Sequence, residues 1–155
     1  ERGDEVEREL ATIGVKTIRR SRTKQGVETI TPADDTILMV DTTGELSSMY
    51  YCADIVLVGK SFDPNVGGQN MIEPAAIGKP VIVGPHTENF VPVMNSFKAN
   101  NAMIILPNIS ELEGTLRELI ASPEKRTQWG TAAKAVVDSQ RGSLERSAVE
   151  IIANM

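Results

Sequence analysis

Asp54-Ile55-Val56-Leu57-Val58-Gly59 is a continuous apolar run that ends in a glycine. Runs of this kind are typical of strands that are buried on both faces of a parallel sheet. A second run, Pro80-Val81-Ile82-Val83-Gly84, follows a segment of helical character between Met71 and Ile77. A strand, a helix and a further strand in this order predict a parallel sheet whose faces are covered by helices.

The same alternation continues toward both ends of the chain, where segments with apolar residues at helical spacing separate short apolar runs. We predict strands at residues 15–18, 37–40, 54–59, 80–84 and 102–106, and helices at residues 4–13, 46–52, 71–77, 90–99 and 109–121, then one starting at 123 and a last one from 143 to the vicinity of 152. This order predicts a Rossmann-like α/β fold, with a parallel sheet, helices on both faces and ligands at the carboxyl ends of the strands. The 155 residues fit one domain, 1–155.

Composition and charge exclude several classes of protein. Acidic residues outnumber basic ones by 21 to 16, for a formal net charge of -5, so we expect no nucleic acid partner. Since no apolar stretch reaches the roughly 20 residues that span a bilayer, any membrane contact is expected to be peripheral. Cys52 is the single cysteine of the sequence, which fits a reducing, cytoplasmic setting, and we expect its thiol to be buried and inert.

A basic run lies near the first predicted strand and comprises Lys16, Arg19, Arg20, Arg22 and Lys24. The run has two interpretations, a solvated strand end or a patch that faces an anionic or membrane surface. The sequence leaves both open.

Gly67-Gly68-Gln69-Asn70-Met71-Ile72-Glu73 lies between a predicted strand and a predicted helix. Glycines let the backbone approach a ligand closely, and the first N–H groups of a helix favour phosphate or carboxylate. The same pattern also fits a tight turn in which Asn70 caps the helix. Glu73 can either stabilise the first helical turn or accept hydrogen bonds from sugar hydroxyls.

Asp41-Thr42-Thr43-Gly44-Glu45-Leu46 follows another predicted strand, so we expect it at the same edge of the sheet, where two loops would form a cleft. Its polar residues also suit ordinary helix caps. His86, the single histidine, cannot supply a metal cluster by itself, and we predict no metal site. It could orient a substrate group or hydrogen-bond its own backbone.

Taken together, several segments resemble the family of 3-deoxy-D-manno-octulosonic acid (Kdo) transferases. They match in order and spacing over nearly the whole chain. The segments are Asp41-Thr42-Thr43-Gly44-Glu45-Leu46, Ala53-Asp54, Val58-Gly59, Gly67-Gly68-Gln69-Asn70, Glu73-Pro74-Ala75-Ala76 and Gly84-Pro85-His86-Thr87. The resemblance implies the C-terminal, donor-binding domain of a GT-B glycosyltransferase, which holds CMP-Kdo in lipopolysaccharide biosynthesis.

The resemblance also implies the roles of individual residues. Gly44, Glu45 and Leu46 would contact the cytidine nucleotide, and Gly67, Gly68, Gln69, Asn70 and Glu73 would contact the phosphate, ribose or Kdo. The family's catalytic base lies on an N-terminal acceptor domain, which binds the lipid A precursor and has no counterpart in this chain. We therefore name no catalytic residue and no cofactor, and expect the chain alone to be inactive. The parent enzyme would act at the cytoplasmic face of the bacterial inner membrane.

The chain also starts after the place where the first strand of such a domain is expected. In the usual order of a doubly wound sheet, 3-2-1-4-5-6, that strand is central. We therefore expect a Rossmann-like sheet that lacks its first strand.

Two other functions fit parts of the sequence. One is the donor-binding domain of another GT-B nucleotide-sugar transferase or of a UDP-sugar epimerase, since segments like Glu73-Pro74-Ala75-Ala76 are widespread in that fold. The other is a signalling module of flavodoxin-like type, in which Asp34, Asp35 and Lys60 would imitate a phospho-acceptor site. The glycine-bearing loop after Asp41 fits the transferase pattern better.

Overall fold

The computed structural model describes residues 2–23 and 36–153, with side chains as far as residue 141. Helices and strands alternate along the chain. The helices are α1 (Arg2–Thr12), α2 (Leu46–Cys52), α3 (Ile72–Ala76), α4 (Val91–Ala99), α5 (Leu112–Ala121) and α6 (Pro123–Ala153). The strands are β1 (Lys16–Arg19), β2 (Thr36–Met39), β3 (Val56–Leu57), β4 (Val81–Val83) and β5 (Ile104–Ile105).

The strands pair in parallel, as the sequence predicts. β1 pairs with β2, and β3, β4 and β5 form a separate sheet in that order. Within residues 2–23 and 36–153, no strand pairs with both β1 and β3. The lack of a first strand stays a prediction. The chain divides into two compact units, residues 1–48 and 49–155, which are described separately. A single domain over 1–155 stays a prediction.

Helices cover both faces of the sheet in the second unit. Alternate residues of a strand point to opposite faces. Val81 and Val83 of β4 belong to a buried cluster with side chains of α3, α4 and α6. Ile82, between them, belongs to a second cluster with Leu119 of α5 and the partly buried Trp129 of α6. The expected Rossmann-like α/β arrangement is therefore confirmed.

The run at residues 54–59 forms a shorter and less buried strand than its composition indicates. Val56 and Val58 are buried in the first cluster, but Leu57 is 45% exposed. β3 is an outer strand that pairs only with β4 within its sheet, and Leu57 is not among the residues of the buried cluster around Ile82. The expectation of burial on both faces is therefore wrong at Leu57.

Two further expectations are corrected by the structure. α6 runs without interruption from Pro123 to Ala153, whereas a break was expected before residue 143. Gly142 does not end the helix because a glycine, unlike a proline, retains its N–H and costs only about 1 kcal/mol relative to alanine. Cys52 is exposed rather than buried, since it is the last residue of a short helix that has no buried side chain.

No helix in the described residues is long and apolar enough to cross a membrane.

α6 packs closely on the turn that joins α3 to β4. Gly78 ends α3 with a φ of +77°, as expected for a C-cap glycine, and its N–H donates to the carbonyl of Ala75. A Cβ placed on Gly130 of α6 would lie 2.0 Å from the carbonyl oxygen of Gly78. The helix can approach this turn only because Gly130 has no side chain.

We therefore expect Gly130→Ala to destabilise the protein by about 3 kcal/mol, because the methyl group would overlap backbone atoms. The matched control is Gly114→Ala in α5, where a Cβ has no neighbour within 4 Å. That change should stabilise by up to about 1 kcal/mol through helix propensity. Urea unfolding of both variants measures the change in the free energy of unfolding. Equal changes in the two variants would contradict the close packing of Gly130 on the turn.

Candidate functional site

The glycine loop follows β3 and folds back on the end of that strand. The N–H of Gly68 donates to the carbonyl of Lys60 at 2.7 Å, and the N–H of Gln69 donates to that of Gly59 at 3.1 Å. Gly67 and Gly68 are buried, with φ values of +99° and +76°. These values lie in the left-handed region, where residues with a side chain are strained, so the loop requires both glycines.

The backbone N–H groups of this loop donate hydrogen bonds to other groups of the protein. The N–H of Gly67 donates to Glu88 Oε2 at 2.9 Å, and its carbonyl accepts from the N–H of Asn89 at 3.2 Å. The helix that follows, α3, has five residues, and its first N–H donates to the side chain of Asn70. The exposed groups of the segment are therefore the side chains of Gln69, Asn70 and Glu73.

Asn70 and Glu73 form a small polar pair at the start of α3. Asn70 Oδ1 accepts from the N–H of Ile72 at 3.0 Å, and Nδ2 donates to Glu73 Oε1 at 2.8 Å. The N-cap position of α3 is that of Met71, which forms no side-chain capping hydrogen bond, so Asn70 bonds the first turn from one position before the expected cap. Burial raises the pKa of the Tyr50 phenol, and the negative charge of Glu73 adds to this shift. The sequence did not single out Tyr50, because its apolar spacing indicated only a helix.

Ser61 joins the loop after β3 to the loop after β4. Its side chain is fully buried, and its Oγ donates to the carbonyl of Val58 at 2.7 Å and accepts from the N–H of Gly84 at 2.9 Å. Its carbonyl accepts from the N–H of His86 at 3.1 Å. A Cβ on Gly84 would lie 1.9 Å from that carbonyl oxygen. Sequence reasoning missed Ser61, and the signal that could have found it is a small polar residue directly after a buried strand.

His86 lies between two carboxylates of these loops. Its Nε2 is 3.1 Å from Asp63 Oδ1, and its Nδ1 is 3.3 Å from Glu88 Oε1. The ring nitrogens thus contact carboxylates rather than the backbone of the histidine's own loop, and a role in orienting a substrate group stays a prediction. The pKa of Glu88 is lowered by a hydrogen bond from its own backbone N–H and by those from His86 and Gly67.

The first unit contains the other predicted binding residues. Arg20 Nη2 donates to Glu45 Oε1 at 2.9 Å, and Thr42 Oγ1 donates to the second oxygen of Glu45. These residues line an open cavity of about 330 Å³ with Ser21, Thr23 and Thr43. Gly44 and Leu46 are exposed beside Glu45, and Gly44 has a φ of +86°. Their assembly into one cleft with the glycine loop stays a prediction.

The basic run in this unit is neutralised by carboxylates. Arg19 contacts Asp4, Glu7 and Asp41, and Arg22 Nη1 lies 3.1 Å from Glu7 Oε1. Lys24 lies outside the described residues, as do Asp34 and Asp35 of the signalling alternative. The run is therefore better described as an internal ion-pair network than as an anion-binding patch.

In the described part of the chain, no three His, Cys, Asp or Glu side chains are grouped to hold a metal ion.

Replacing Ser61 with alanine would leave the buried N–H of Gly84 without its acceptor. We expect Ser61→Ala to lower the free energy of unfolding by about 1–3 kcal/mol. The control is Ser139→Ala on α6, where an exposed hydroxyl donates to the carbonyl of Val136 and the change should be within about 0.5 kcal/mol. Urea unfolding distinguishes them, and similar losses in both variants would refute the role of Ser61.

Asp41 should make the first unit sensitive to acid. Its carboxylate accepts from Ser21 Oγ at 2.6 Å, from the N–H of Ser21 at 2.9 Å and from Arg19 Nε at 2.7 Å, and these bonds hold its pKa well below the usual range. The bonds therefore stabilise the fold above the unfolded pKa of about 3.9, and this contribution is lost as the pH falls toward the lower folded pKa.

The measurement is hydrogen exchange of the β1 and β2 amides at several pH values between about 5 and 3. Asp41→Asn should lower protection at pH 5 and remove part of the acid dependence seen in the wild type. Asp138→Asn, which alters an exposed pair with Lys134 on α6, is the control. An unchanged pH dependence in Asp41→Asn would contradict the expectation.

No protein-family model matches the chain. Among curated proteins, it is similar to 3-deoxy-D-manno-octulosonic acid transferases. Identity to the protein of Bordetella pertussis is 36% over 147 residues, which are 95% of this chain and 33% of the relative. Identity to that of Haemophilus influenzae is 34% over 111 residues, which are 71% of this chain and 26% of the relative. A probable mitochondrial transferase of Arabidopsis thaliana is 32% identical over 141 residues, which are 88% of this chain and 30% of the relative.

The chain thus spans about a third or less of the length of these curated relatives. Among solved structures, it is similar to the C-terminal CMP-Kdo binding domain of WaaA from Acinetobacter baumannii. The two share 28% identity with a TM-score of 0.75, over 86% of this chain and 67% of the other.

Proposed function

This chain is homologous to the Kdo transferases over most of its length, and we propose that it is the donor-binding domain of such an enzyme, which holds CMP-Kdo. The observation that carries the proposal is the similarity, in sequence and fold, to a solved domain that is described as binding CMP-Kdo. The polar loops at the carboxyl end of the strands agree with the place where doubly wound folds bind nucleotides.

The glycine loop and the start of α3 form the proposed contact with the phosphate, ribose or Kdo. Gly67 and Gly68 act by shaping the loop, because their N–H groups are already bonded within the protein. The exposed side chains of Gln69, Asn70 and Glu73 are the direct ligands. An exposed carboxylate held by a neighbouring amide suits the hydroxyl groups of a ribose or sugar, from which a carboxylate accepts hydrogen bonds.

Gly44, Glu45 and Leu46 of the first unit are proposed to contact the cytidine nucleotide. Arg20 and Thr42 fix both oxygens of the Glu45 carboxylate, and these contacts lower its pKa, with Thr42 as the main cause. Glu45 therefore offers an ionised acceptor in a defined position. The hydroxyl-rich cavity beside it suits a polar ligand.

In the parent enzyme, an acceptor hydroxyl of a lipid A precursor would attack the anomeric carbon of Kdo as CMP leaves. The base that takes the proton from that hydroxyl would be supplied by the acceptor domain, outside this chain. The chain by itself would therefore bind the donor without transferring Kdo. We further propose that the parent enzyme is peripheral to the cytoplasmic face of the inner membrane and acts in lipopolysaccharide biosynthesis.

Calorimetric titration of the chain with CMP, compared with UMP, UDP and ADP, tests the proposal. We expect selective binding of CMP, weakened about tenfold by Glu73→Gln, since a hydrogen bond to a charged group contributes about 1.5–3 kcal/mol. Glu113→Gln, which alters an exposed carboxylate paired with Arg117 on α5, should bind as the wild type does.

The outcomes separate the candidate functions. Preference for UDP would favour another nucleotide-sugar transferase or an epimerase. An equal lack of binding to all four nucleotides, in a sample whose amide spectrum is that of a folded protein, would count against a donor site in this chain. Transfer of Kdo by the chain alone would contradict the assignment of the base to another domain.

A further inference from the structure

The loop after β4 holds the glycine loop through both backbone groups of one residue, Gly67. Glu88 accepts from the N–H of Gly67 at 2.9 Å, and the N–H of Asn89 donates to the carbonyl of Gly67 at 3.2 Å. A Cβ on Gly67 would lie 2.6 Å from Asn89 Nδ2, so the contact is close. The conformation of Gly67 therefore depends on where residues 88 and 89 lie.

Glu88 is in turn held by His86. The second oxygen of its carboxylate is 3.3 Å from His86 Nδ1, while His86 Nε2 is 3.1 Å from Asp63 in the same loop as Gly67. The backbone N–H of His86 donates to the carbonyl of Ser61, which fixes the backbone of the histidine. Asp63, His86, Glu88 and Gly67 thus form a continuous series of polar contacts between the two loops.

The chemistry of these contacts defines the state of the imidazole. An ionised carboxylate accepts hydrogen bonds but does not donate them, and a neutral imidazole carries a single N–H. Since both ring nitrogens face carboxylate oxygens, both contacts are hydrogen bonds only when the ring is protonated at both nitrogens. Loss of one proton would place a nitrogen lone pair against a carboxylate.

We propose that His86 is a positioning residue for donor binding, which as an imidazolium joins Asp63 to Glu88 and so holds Gly67 in the conformation of the binding loop. This inference rests on the proposed function, because it assigns the loop to the donor. His86 itself does not contact the donor. Its effect passes through Glu88 to the peptide of Gly67 and from there to the exposed side chain of Gln69, two residues later.

The charged groups around this series are few within the described residues. Asp63 and Glu88 face the ring, and their side chains are 86% and 59% exposed. Lys98 of α4 lines a cavity of about 180 Å³ beside Glu88, and so adds positive charge near that carboxylate. Because the carboxylates are solvated, the ion pairs contribute modestly, and the expected effects on affinity are small but measurable.

Nuclear magnetic resonance tests the series without any ligand. Because the sequence has a single histidine, its ring signals are unambiguous. We expect the amide proton of Gly67 to shift with pH at the same midpoint as the signals of the His86 ring. In His86→Gln and Glu88→Ala this shift should disappear. A Gly67 amide that does not follow the histidine ring would overturn the proposal.

Affinity for CMP tests the consequence for binding. His86→Gln should bind CMP about 2- to 5-fold more weakly than the wild type at low pH, as expected for exposed ion pairs. Since a phosphate monoester also titrates near pH 6, the quantity compared is the ratio of the two affinities at each pH. That ratio should approach one as the pH rises and the wild-type histidine loses its proton.

Two variants distinguish positioning from a general loss of structure. Glu88→Gln keeps an acceptor for Gly67 but lacks the negative charge, so it should bind CMP better than Glu88→Ala and lose the pH dependence. Glu118→Gln, which alters an exposed pair with Lys125, is the control and should behave as the wild type. Equal affinity of His86→Gln and wild type at all pH values would overturn the proposal. If the wild type binds no CMP, the proposed function fails, and the Gly67 titration alone decides whether His86 holds the loop.

Discussion

The buried hydroxyl of Ser61 is the contact on which the arrangement of the binding loops depends. It accepts the N–H of Gly84 and donates to Val58, so the ends of two neighbouring strands are joined through one side chain. The contact is possible because Gly84 has no side chain, which lets its backbone approach that of Ser61 closely. Once these two loops are joined, the glycine loop has a fixed surface against which to fold.

Each of the two units is stabilised by a different kind of interaction. In the second unit, apolar side chains on both faces of β4 form the core, and burial of these side chains is the main stabilising term. In residues 2–23 and 36–48 no side chain is buried, and the contacts that stand out are ion pairs around Arg19. The Arg19–Asp41 pair is largely shielded from solvent, but the outer pairs with Asp4 are more exposed, and pairs of that kind are individually weak and screened by salt. The first unit is therefore the part whose stability is expected to depend most on conditions.

Sequence reasoning was most successful where structure follows from local pattern. The strands predicted at the apolar runs 80–84 and 102–106 and the helix predicted from the spacing in residues 109–121 are found in the structure. It was less successful where the outcome depends on neighbours. Leu57 and Cys52 are residue types that are usually buried, but both are exposed in the described part of the chain.

By itself, the sequence determined the α/β class, the order of its elements, and the resemblance to Kdo transferases, because periodicity and motif spacing are properties of the chain. It also identified the polar segments at the ends of the strands. Only the tertiary structure decided which groups of those segments are available to a ligand. The amides of Gly67, Gly68 and Gln69 are bonded internally, and His86 is paired with two carboxylates. These partners come from different loops, and a sequence pattern does not specify the distances between loops.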